Sequence, residues 1–321
     1  MDPVFDISII ISSYNRKDKV LLTVEQLFKS NLEGFNIVEL IVIDDGSPSP
    51  VEKALENMGP VPVKIEFRLI TQKNAGIGAT RNRGFREAKA PVVIFLDDDI
   101  LLEPGTIREL YNALQEGPGP VLFGNYPFIS HSSGSLHHFA RQLYGYDSIT
   151  RERSFEKVDA ITSGLLAVNK EQLKGVTNFY KDDLTVPAAE EYEIIARFHR
   201  MQVPIYKARH ISALHNHHLE IRWLVQQQYK YGQGTAEAFV KYPEIKELDK
   251  FSEMKKRLDA QGRSLLKGAV ASGFGRKLLF LYVRLTEKLL KNKKRNFILG
   301  ILTTAYFWAG YKDGLKRFLV K

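Results

Sequence analysis

Four apolar runs within the first hundred residues restrict the chain to a small set of folds. They cover residues 7–11, 37–43, 63–69 and 91–96, and segments with helical spacing of apolar side chains lie between them, the clearest at 77–89. Short apolar runs that alternate with helices are typical of a parallel sheet with helices on both faces. The sequence therefore predicts an α/β fold with a mostly parallel sheet.

The rest of the chain adds further elements to this pattern. After a helix at about 104–115, we expect strands at 121–128 and 158–168 and a helix at 190–200. Beyond residue 220 the spacing of apolar side chains is helical to the end of the chain. We therefore expect a helical extension after the sheet.

Polar side chains follow three of the four apolar runs, at the point where each predicted strand ends. These clusters lie at residues 12–15, 44–47 and 97–99. In open α/β sheets, ligands bind in the crevice outside the carboxyl ends of the strands. We expect the three clusters to form one site.

Composition narrows the chemistry of that site. The 321 residues contain no cysteine, which excludes disulfides, cysteine-ligated zinc, iron–sulfur clusters and thiol catalysis. The first twelve residues include Asp2 and Asp6 and are typical of a strand rather than of a secretory signal. We therefore expect the active part to face the cytoplasm.

The basic charge of the chain is concentrated near its C-terminus. The net charge is +9, and residues 251–321 carry 17 Lys and Arg against 4 Asp and Glu. Such a tail suits nucleic acid, an anionic membrane surface or simple solubility. Because its basic residues lie among long apolar runs, unlike a phosphate-tracking face, we do not expect nucleic-acid binding.

Two apolar stretches, 278–290 and 296–311, dominate this tail. The second has 16 uncharged residues, fewer than the roughly 20 that span a bilayer. Three interpretations remain open: a helix in the membrane interface with Tyr306, Trp308 and Tyr311 at headgroup depth, a helix packed on the catalytic domain or on a second subunit, or a short span.

Three adjacent aspartates at 97–99 suit a divalent cation. In an extended backbone Asp97 and Asp99 point to one side and Asp98 to the other, unless the strand bends before its end. Mg²⁺ or Mn²⁺ held by one or two carboxylates and by substrate phosphate oxygens would remove the repulsion between them. The alternative is a solvated acidic turn that caps the next helix.

Two further motifs are weak when taken alone. Asp44-Asp45-Gly46-Ser47 is either a plain Asp-Gly turn or part of the site. Residues 74–82 open a helix, with glycines that permit close backbone approach and with Arg81 available to a phosphate or a base. The alternative for this segment is a surface loop, and it is not a Walker A loop, since no Gly-Lys-Ser/Thr follows.

Taken together, the motifs IIISSYNR, VIDDGS, NAGIGATRNRG and IFLDDD resemble the inverting glycosyltransferases of family 2, which have the GT-A fold. The resemblance is densest over residues 7–99 and continues more loosely to about 235. The domains that it implies are a catalytic domain at 1–235, with a nucleotide-binding half at 1–100 and an acceptor-side half at 101–235, and a basic helical extension at 236–321.

The resemblance also assigns roles to individual residues. The residues that it places around the donor nucleotide are Ser12, Tyr14, Asp45, Arg81, Asp97 and Asp98. Asp99 would be the direct metal ligand, with Asp97 and His215 as further ligands. The segment His215-Asn216-His217-His218 has two other interpretations, a solvent-facing histidine cluster or an adventitious nickel or zinc site.

The segment Glu190-Glu191-Tyr192-Glu193 resembles the part of the family that carries the general base. Glu191 occupies the base position, and Glu190 is the alternative. The other interpretation is an exposed acidic helix start, in which Glu193 and Arg197 form a surface pair worth about 0.2–0.5 kcal/mol. We expect that surface arrangement for Glu193.

The implied activity is transfer of a sugar, with inversion, from a nucleoside-diphosphate sugar to a hydroxyl group. UDP-sugar is the favoured donor, Mn²⁺ or Mg²⁺ the cofactor, and a saccharide or lipid-linked saccharide of cell-surface polysaccharide synthesis the acceptor. The place of action would be the cytoplasm or the cytoplasmic face of a membrane, with residues 278–321 at its anionic surface.

Two alternatives to this activity remain. A nucleotidyltransferase would carry its Gly-rich loop after the first strand, where this chain has SSYNR. A non-catalytic nucleotide-sugar-binding or scaffold protein descended from a transferase would keep the fold without the activity. The position of SSYNR argues against the first alternative, and the retained strand-end clusters and the candidate base argue against the second.

Overall fold

The computed structural model describes residues 5–128, 135–146, 149–217, 219–248, 251 and 292–319. The chain divides into two compact units. The first is drawn from Met1–Ile129, Gly145–Asp183 and Arg197–His217. The second is drawn from Ser130–Tyr144, Leu184–Ala196 and His218–Lys321.

In its described residues, the first unit contains a mixed eight-stranded sheet, a separate pair of short strands, four complete helices and the last part of another helix. Its strands are β1 (Ile7–Ser13), β2 (Val38–Asp44), β3 (Ile65–Thr71), β4 (Val92–Asp97), β5 (Ile100–Leu101), β6 (Val121–Asn125), β7 (Phe155–Lys157), β8 (Leu165–Asn169), β9 (Ile205–Ser212) and β10 (Leu214–His215). Its helices are α1 (Lys17–Phe28), α2 (Glu52–Leu55), α3 (Ile77–Glu87) and α4 (Thr106–Glu116).

The sheet is mostly parallel, as the sequence predicts. Its strand order is β3-β2-β1-β4-β8-β6-β9-β7. The pairs β1–β2, β1–β4, β2–β3 and β6–β9 are parallel, while β8 runs antiparallel to both of its neighbours and β7 runs antiparallel to β9. Strands β5 and β10 form a separate antiparallel pair.

Both faces of the sheet are covered, which explains why β1 and β2 read as continuous apolar runs. Every residue of β1 is buried. Ile9 and Ile11 pack in one core with Val24 of α1. Ile10 points to the opposite face, where α3 approaches so closely that a Cβ atom on Gly84 would lie 2.4 Å from its Cγ2. Burial on both faces is typical of parallel strands.

One buried carboxylate ties the other end of these strands together. Glu39, near the start of β2, is fully buried. It accepts hydrogen bonds from Ser8 Oγ at 2.5 Å, from Arg68 Nη1 at 2.8 Å and from the Lys89 backbone N–H at 2.9 Å. A buried charge is costly unless it is paired and hydrogen-bonded. These contacts therefore stabilise the register of β1, β2 and β3.

The strand predicted at 158–168 is wrong over its first half. The chain forms β7 at the edge of the sheet, continues as a loop, and enters the sheet again as β8, between β4 and β6. A single strand cannot occupy both positions. Apolar side chains in the crossing segment, such as buried Ile161, gave the sequence its strand-like appearance.

The second unit is helical in its described residues. It contains α5 (Ser135–Leu143), the first part of α6 (Glu191–Arg200), α7 (Ile221–Lys241), a 3₁₀ helix (Pro243–Glu247) and α8 (Asn292–Leu319). The domain boundary predicted at residue 235 falls inside α7. The predicted apolar stretch at 278–290 lies outside the described residues, whereas 296–311 falls within α8.

Helices α7 and α8 pack with their backbones in close approach. A Cβ atom on Gly232 would lie 1.9 Å from the Phe307 carbonyl oxygen, and one on Gly310 would lie 1.9 Å from the Tyr229 carbonyl oxygen. Tyr229 also donates a hydrogen bond to Asp313 Oδ2 at 2.8 Å. This part of the basic tail therefore packs on its own chain.

The packing decides the position of one aromatic residue of the tail. Tyr311, predicted to reach lipid headgroups, is buried at 3% exposure, and its ring contacts that of Phe239. That prediction is wrong for Tyr311 because α7 covers its face of α8. Within the described part of the chain, no helix combines the length and the apolar character that crossing a bilayer requires.

Substitution of Gly232 by alanine tests the close approach of α7 and α8. The added methyl group has no room against the Phe307 carbonyl, so we expect the variant to lose about 1–3 kcal/mol of unfolding free energy. Urea unfolding followed by circular dichroism measures the loss. Gly59→Ala is the control, since a Cβ atom there meets no atom within 4 Å. Equal midpoints for the two variants would contradict the packing.

Candidate active site

The predicted strand-end clusters meet at one edge of the sheet. The register of β1 places Ser12 beside Asp97 of β4, and Ser13 beside Asp44 of β2. The alignment follows from the parallel pairing, which brings equivalent ends of neighbouring strands together. The prediction that these clusters lie together is confirmed.

The two aspartates that end β2 organise the loops around this edge. Asp44 accepts hydrogen bonds from the backbone N–H groups of Ser47 at 2.9 Å and Val51 at 3.0 Å, so it builds the turn. Asp45 accepts from Gln72 Nε2 at 2.7 Å and from the Ala75 and Gly76 backbone N–H groups at 2.9 Å. Asp45 thereby fastens the glycine-containing loop to the end of β2.

Gly46 allows the turn after β2 to approach the residues that follow β3. Its φ is +77°, a left-handed conformation that side-chain-bearing residues rarely adopt. A Cβ atom there would also lie 2.8 Å from the Asn74 backbone nitrogen and 2.9 Å from the Gln72 carbonyl oxygen. The Asp-Gly turn and the site are therefore one structure, and the two interpretations of the motif are compatible.

Arg81 is held at the edge by Asp97. It lies in α3, is only 6% exposed, and donates from Nη2 to Asp97 Oδ1 at 2.7 Å. Its guanidinium lies over the Tyr180 ring, 5.3 Å from the ring centre. The Asp97 side chain keeps 34% exposure, so the ion pair lies at the surface of the crevice.

Asp98 and Asp99 share a different cation. Arg16 Nη1 contacts Asp98 Oδ1 at 2.6 Å, and Arg16 Nη2 contacts Asp99 Oδ2 at 2.5 Å. Ser13 Oγ donates to Asp98 at 2.7 Å, and Lys19 Nζ lies 3.1 Å from Asp99 Oδ2. The acidic run is therefore neutralised by arginine and lysine side chains.

The strand bends before its end, so the alternation that would place Asp97 and Asp99 on one side does not apply. Strand β4 ends at Asp97 and the chain turns before β5 begins at Ile100. This turn carries Asp98 and Asp99 together toward Arg16 and leaves Asp97 on Arg81. Alternation of side chains, on which the expectation depended, holds only within an extended strand.

Burial and charge move the two carboxyl groups in opposite directions. Burial raises the pKa of Asp98 to about 6, although Arg16 opposes the shift. Burial also tends to raise the pKa of Asp99, but His215, Arg16 and Lys19 together hold that pKa well below its usual range. Asp99 is therefore the member of the pair that stays ionised to lower pH.

His215 reaches this cluster through the small β5–β10 pair. The pairing places it opposite Ile100, and its Nε2 lies 3.3 Å from Asp99 Oδ2. Its ring stacks on Phe128 at 4.9 Å, and its Nδ1 is buried without a hydrogen-bond partner in the described structure. His215 therefore lies beside Asp99, and the solvent-facing interpretation is wrong for this residue, while its role as a metal ligand stays a prediction.

The other histidines of that segment differ from His215. His217 Nδ1 lies 3.4 Å from Lys19 Nζ, and burial together with the Lys19 charge lowers the pKa of His217 to about 4. The imidazole is therefore neutral at physiological pH. His218 lies outside the described residues.

Two hydroxyl groups of the predicted donor pocket are also at this edge. Ser12 Oγ is buried and has no hydrogen-bond partner within the described structure. Tyr14 is 47% exposed and precedes Asn15, whose φ is +56°. A buried hydroxyl without a partner costs free energy, so Ser12 is suited to a polar ligand atom. Their roles in nucleotide binding stay predictions.

Glu190 and Glu191 belong to the second unit. Glu190 is 8% exposed, and Glu191 is the first residue of α6. The residue before them, Ala189, has a φ of +64°. A helix N-terminus favours negative charge, so the position suits carboxylates whether or not they act as a base.

The expected surface position of Glu193 is wrong. Glu193 is only 2% exposed. Helical spacing predicted one solvent face, but α6 also buries Ile194, Ile195 and Phe198 and has little free surface on that side. Arg197 donates to the Phe179 carbonyl oxygen at 2.6 Å.

Sequence reasoning gave no role to Arg16 or Lys19. Arg16 closes the IIISSYNR motif and Lys19 lies three residues further, in the first turn of α1. Residues three apart lie on the same face of a helix. Two cations at that spacing, directly after a strand that ends beside three aspartates, are a usable signal for this contact.

Comparison with known proteins identifies the family. The family model "Glycosyl transferase family 2" matches residues 8–175, more than half of the chain. The chain belongs to glycosyltransferase family 2. The matched range includes both arginines and all three aspartates of the edge described above.

Curated family members are similar to this chain over part of their length. The dolichol-phosphate mannosyltransferase of Pyrococcus furiosus is 31% identical over 180 residues, which is 53% of this chain and 48% of that protein. The GalNAc(5)-diNAcBac-PP-undecaprenol beta-1,3-glucosyltransferase of Campylobacter jejuni is 32% identical over 120 residues, 37% of each protein. The chain thus matches about half or less of these relatives.

A solved structure supports the fold over nearly the whole chain. The mannosyltransferase PcManGT from Pyrobaculum calidifontis, solved with GDP-Man and Mn²⁺, superposes with a TM-score of 0.61 and 13% identity, covering 98% of this chain and 88% of that one. This similarity concerns the fold, and with the sheet topology it confirms the predicted GT-A architecture.

The chemical types of the possible ligand atoms at this edge of the sheet fit a divalent cation. Carboxylate oxygens of Asp97 and Asp99 and the imidazole of His215 are ligands that Mn²⁺ accepts, and Mg²⁺ prefers the oxygens. Among the residues that the structure describes, no three acidic or histidine side chains already form a ligand cluster. Arg16 and Lys19 occupy Asp99 Oδ2, so a cation there would compete with them.

Substitution of Arg16 by methionine tests this competition. Asp98 and Asp99 would remain buried and lose a cation, so without metal we expect a loss of about 1–3 kcal/mol, limited by the partial exposure of Arg16. Mn²⁺ supplies the missing charge and should raise the melting temperature of the variant more than that of the wild type.

Arg86→Met is the matched control, since Arg86 is exposed and donates to the exposed Asn178 Oδ1 at 2.7 Å. Differential scanning fluorimetry with and without Mn²⁺ gives the comparison. An equal metal-induced shift in the Arg16 and Arg86 variants would show that Arg16 and the metal do not compete.

Proposed function

We propose that this chain is an inverting glycosyltransferase that uses a nucleoside-diphosphate sugar and a hydroxyl acceptor. The observation that carries the proposal is the edge of the sheet, where Ser12, Asp45, Arg81 and the three aspartates come together within a family-2 GT-A fold. In such sheets this edge is the ligand-binding position. Residues 1–235 would carry the chemistry, and 236–321 would support it.

The donor nucleotide would bind at the ends of β1 and β2. Asp45 Oδ2 accepts a hydrogen bond from the Gly76 backbone N–H and can accept another from the imide N–H of uracil. Ser12 Oγ, buried and without a partner in the described structure, would bond to a polar atom of the nucleotide, and Tyr14 would offer its exposed ring to the base. The resemblance to the family favours UDP-sugar as the donor, and these contacts are compatible with it.

GDP-mannose is the second candidate donor. The PcManGT structure contains GDP-Man, and the Pyrococcus furiosus relative is a dolichol-phosphate mannosyltransferase. The N1–H of guanine presents a donor similar to that of the uracil imide, so Asp45 suits both bases.

Negative charge builds up on the departing diphosphate as the reaction proceeds, so a nearby positive charge stabilises the transition state more than the ground state. Arg81 is fixed by Asp97 and Tyr180, so it can stabilise developing charge without rearrangement. Arg16 and Lys19 lie on the neighbouring aspartates and add to the positive potential. When bound by Asp97, Asp99 and His215, Mn²⁺ or Mg²⁺ would supply Lewis-acid stabilisation of the same leaving group.

The acceptor hydroxyl needs a base. In a single displacement the acceptor oxygen forms a bond to the anomeric carbon while the bond from that carbon to the diphosphate oxygen breaks. We assign removal of the hydroxyl proton to Glu191, with Glu190 as the alternative. Transfer of this proton to a positioned carboxylate contributes roughly 10²–10⁴-fold to the rate.

The acceptor is proposed to be a saccharide or a lipid-linked saccharide. Names of the relatives include dolichol phosphate and diphospho-undecaprenol, both lipid carriers. The basic tail at 278–321 would then contact the anionic cytoplasmic surface of a membrane. Failure of the purified protein to sediment with anionic liposomes at low salt would remove this contact from the proposal.

Calorimetric titration of UDP, GDP, dTDP and CDP with and without Mn²⁺ tests the donor site. We expect Mn²⁺-dependent binding of UDP, or of GDP if mannose is transferred. Asp99→Asn should weaken that binding at least about tenfold, because it removes the charged ligand. Asp313→Asn, in the second unit, should not change it. Folded protein that binds none of the four nucleotides would overturn the proposal.

Release of nucleoside diphosphate from UDP-glucose and GDP-mannose, with water as acceptor, tests the base. Glu191→Gln should bind nucleotide within about twofold of wild type and should lower release about 10²–10⁴-fold. Glu190→Gln, assayed beside it, decides between the two carboxylates. Nucleotide binding without any release by the wild type would favour the non-catalytic alternative.

A further inference from the structure

A second buried carboxylate lies in the helical unit, at a position to which the sequence analysis gave no role. Glu237 of α7 is fully buried. Its Oε1 accepts from the Thr185 backbone N–H at 2.9 Å and from Thr185 Oγ1 at 2.8 Å. Its Oε2 accepts from the Val186 backbone N–H at 2.8 Å, and Lys241 Nζ lies 2.9 Å from Oε1.

These contacts make Glu237 an anchor for a segment without regular structure. Residues 184–190 form neither helix nor strand, so their backbone N–H groups lack the partners that a regular element supplies. Burial would raise the pKa of Glu237, but the hydrogen bonds from Thr185, Val186 and Lys241 hold it below its usual value. The group is therefore ionised, and charged acceptors form the stronger hydrogen bonds.

The same helix holds the segment at a second point. A Cβ atom on Gly234, about one turn before Glu237, would lie 1.9 Å from the Ala188 carbonyl oxygen. Only glycine permits α7 to approach this carbonyl. Two contacts from one rigid helix thus fix residues 185 to 188.

The backbone is strained at Ala189, the residue directly after the segment that α7 holds. Ala189 has a φ of +64°, a left-handed conformation that is unfavourable for alanine. Such conformations persist only when the surrounding structure imposes them, and they cluster at functional sites. The next two residues are Glu190 and Glu191. The contacts from Glu237 and Gly234 therefore impose the backbone path that leads into the carboxylates.

We propose that Glu237 is a positioning residue for the general base, holding the 185–188 backbone so that Glu191 leaves the strained turn at Ala189 in its reactive orientation. This role rests on the proposed function, in which Glu191 takes the proton of the acceptor. Glu237 acts through the backbone and needs no contact with substrate. Misplacement of a catalytic group by about 1 Å can cost roughly 10²-fold in rate.

The chain supplies a matched control for each contact. Glu39 is likewise fully buried, is paired with one cation, Arg68, and accepts a backbone N–H, but it lies at the end of β2 opposite Asp44. Gly232 lies on the same helix as Gly234. A Cβ atom on Gly232 would likewise lie 1.9 Å from a carbonyl oxygen, but that oxygen belongs to Phe307 of α8. Both controls remove comparable stabilisation without touching residues 184–191.

The experiment compares Glu237→Gln with Glu39→Gln, and Gly234→Ala with Gly232→Ala. Release of UDP from UDP-glucose and of GDP from GDP-mannose is measured, and kcat is corrected for the folded fraction. We expect Glu237→Gln and Gly234→Ala to lower kcat about 10²-fold with the donor KM within twofold of wild type. We expect both controls to keep kcat within about twofold.

Hydrogen–deuterium exchange gives a readout without substrate. In Glu237→Gln the Thr185 and Val186 amides lose their charged acceptor, so peptides covering 184–191 should exchange faster, while Glu39→Gln leaves them unchanged. Values of kcat for Glu237→Gln and Gly234→Ala equal to those of their controls would overturn the positioning role alone. Wild-type turnover by Glu191→Gln, or no release by the wild type, would overturn the proposed base or function and this role with it.

Discussion

The parallel alignment of β1, β2 and β4 concentrates negative charge at one edge of the sheet, and much of the surrounding structure neutralises it. Asp44 and Asp45 bind backbone N–H groups, whereas Asp97, Asp98 and Asp99 bind side-chain cations. Carboxylates this close together and this buried are unstable without such partners. The loops after β1 and β2 and the starts of α1 and α3 therefore take the paths that bring these partners to the edge.

The division of cations among the three aspartates has a chemical meaning. Arg81 is held by Asp97 and is backed by the Tyr180 ring, so it is preorganised and can face a ligand. Arg16 bridges Asp98 and Asp99 and keeps 40% exposure of its side chain, so it can move at lower cost. In the function proposed above, Arg81 would stabilise the leaving group and Arg16 would exchange with a metal ion.

Buried glutamates perform a related task in each unit. Glu39 joins β1, β2 and the end of α3 in the first unit, and Glu237 joins α7 to the irregular segment before α6 in the second. In both cases a carboxylate satisfies backbone N–H groups that no regular element pairs. A charged acceptor is well suited to this because it binds several donors at once. Irregular backbone is thereby held in place in each unit, and in the second unit this backbone leads into Glu190 and Glu191.

The sequence by itself determined the α/β class, the order of the first four strands and helices, and the location of the polar clusters at strand ends, because these depend on local periodicity and on the rule that parallel strands align their ends. It also pointed to His215. Only the tertiary structure decided which cation neutralises which aspartate, since that depends on the turn after Asp97. It also decided that Glu193 and Tyr311 are buried, that 155–169 forms two strands, and that Glu237 binds residues 185 and 186, because each depends on contacts between residues distant in the chain.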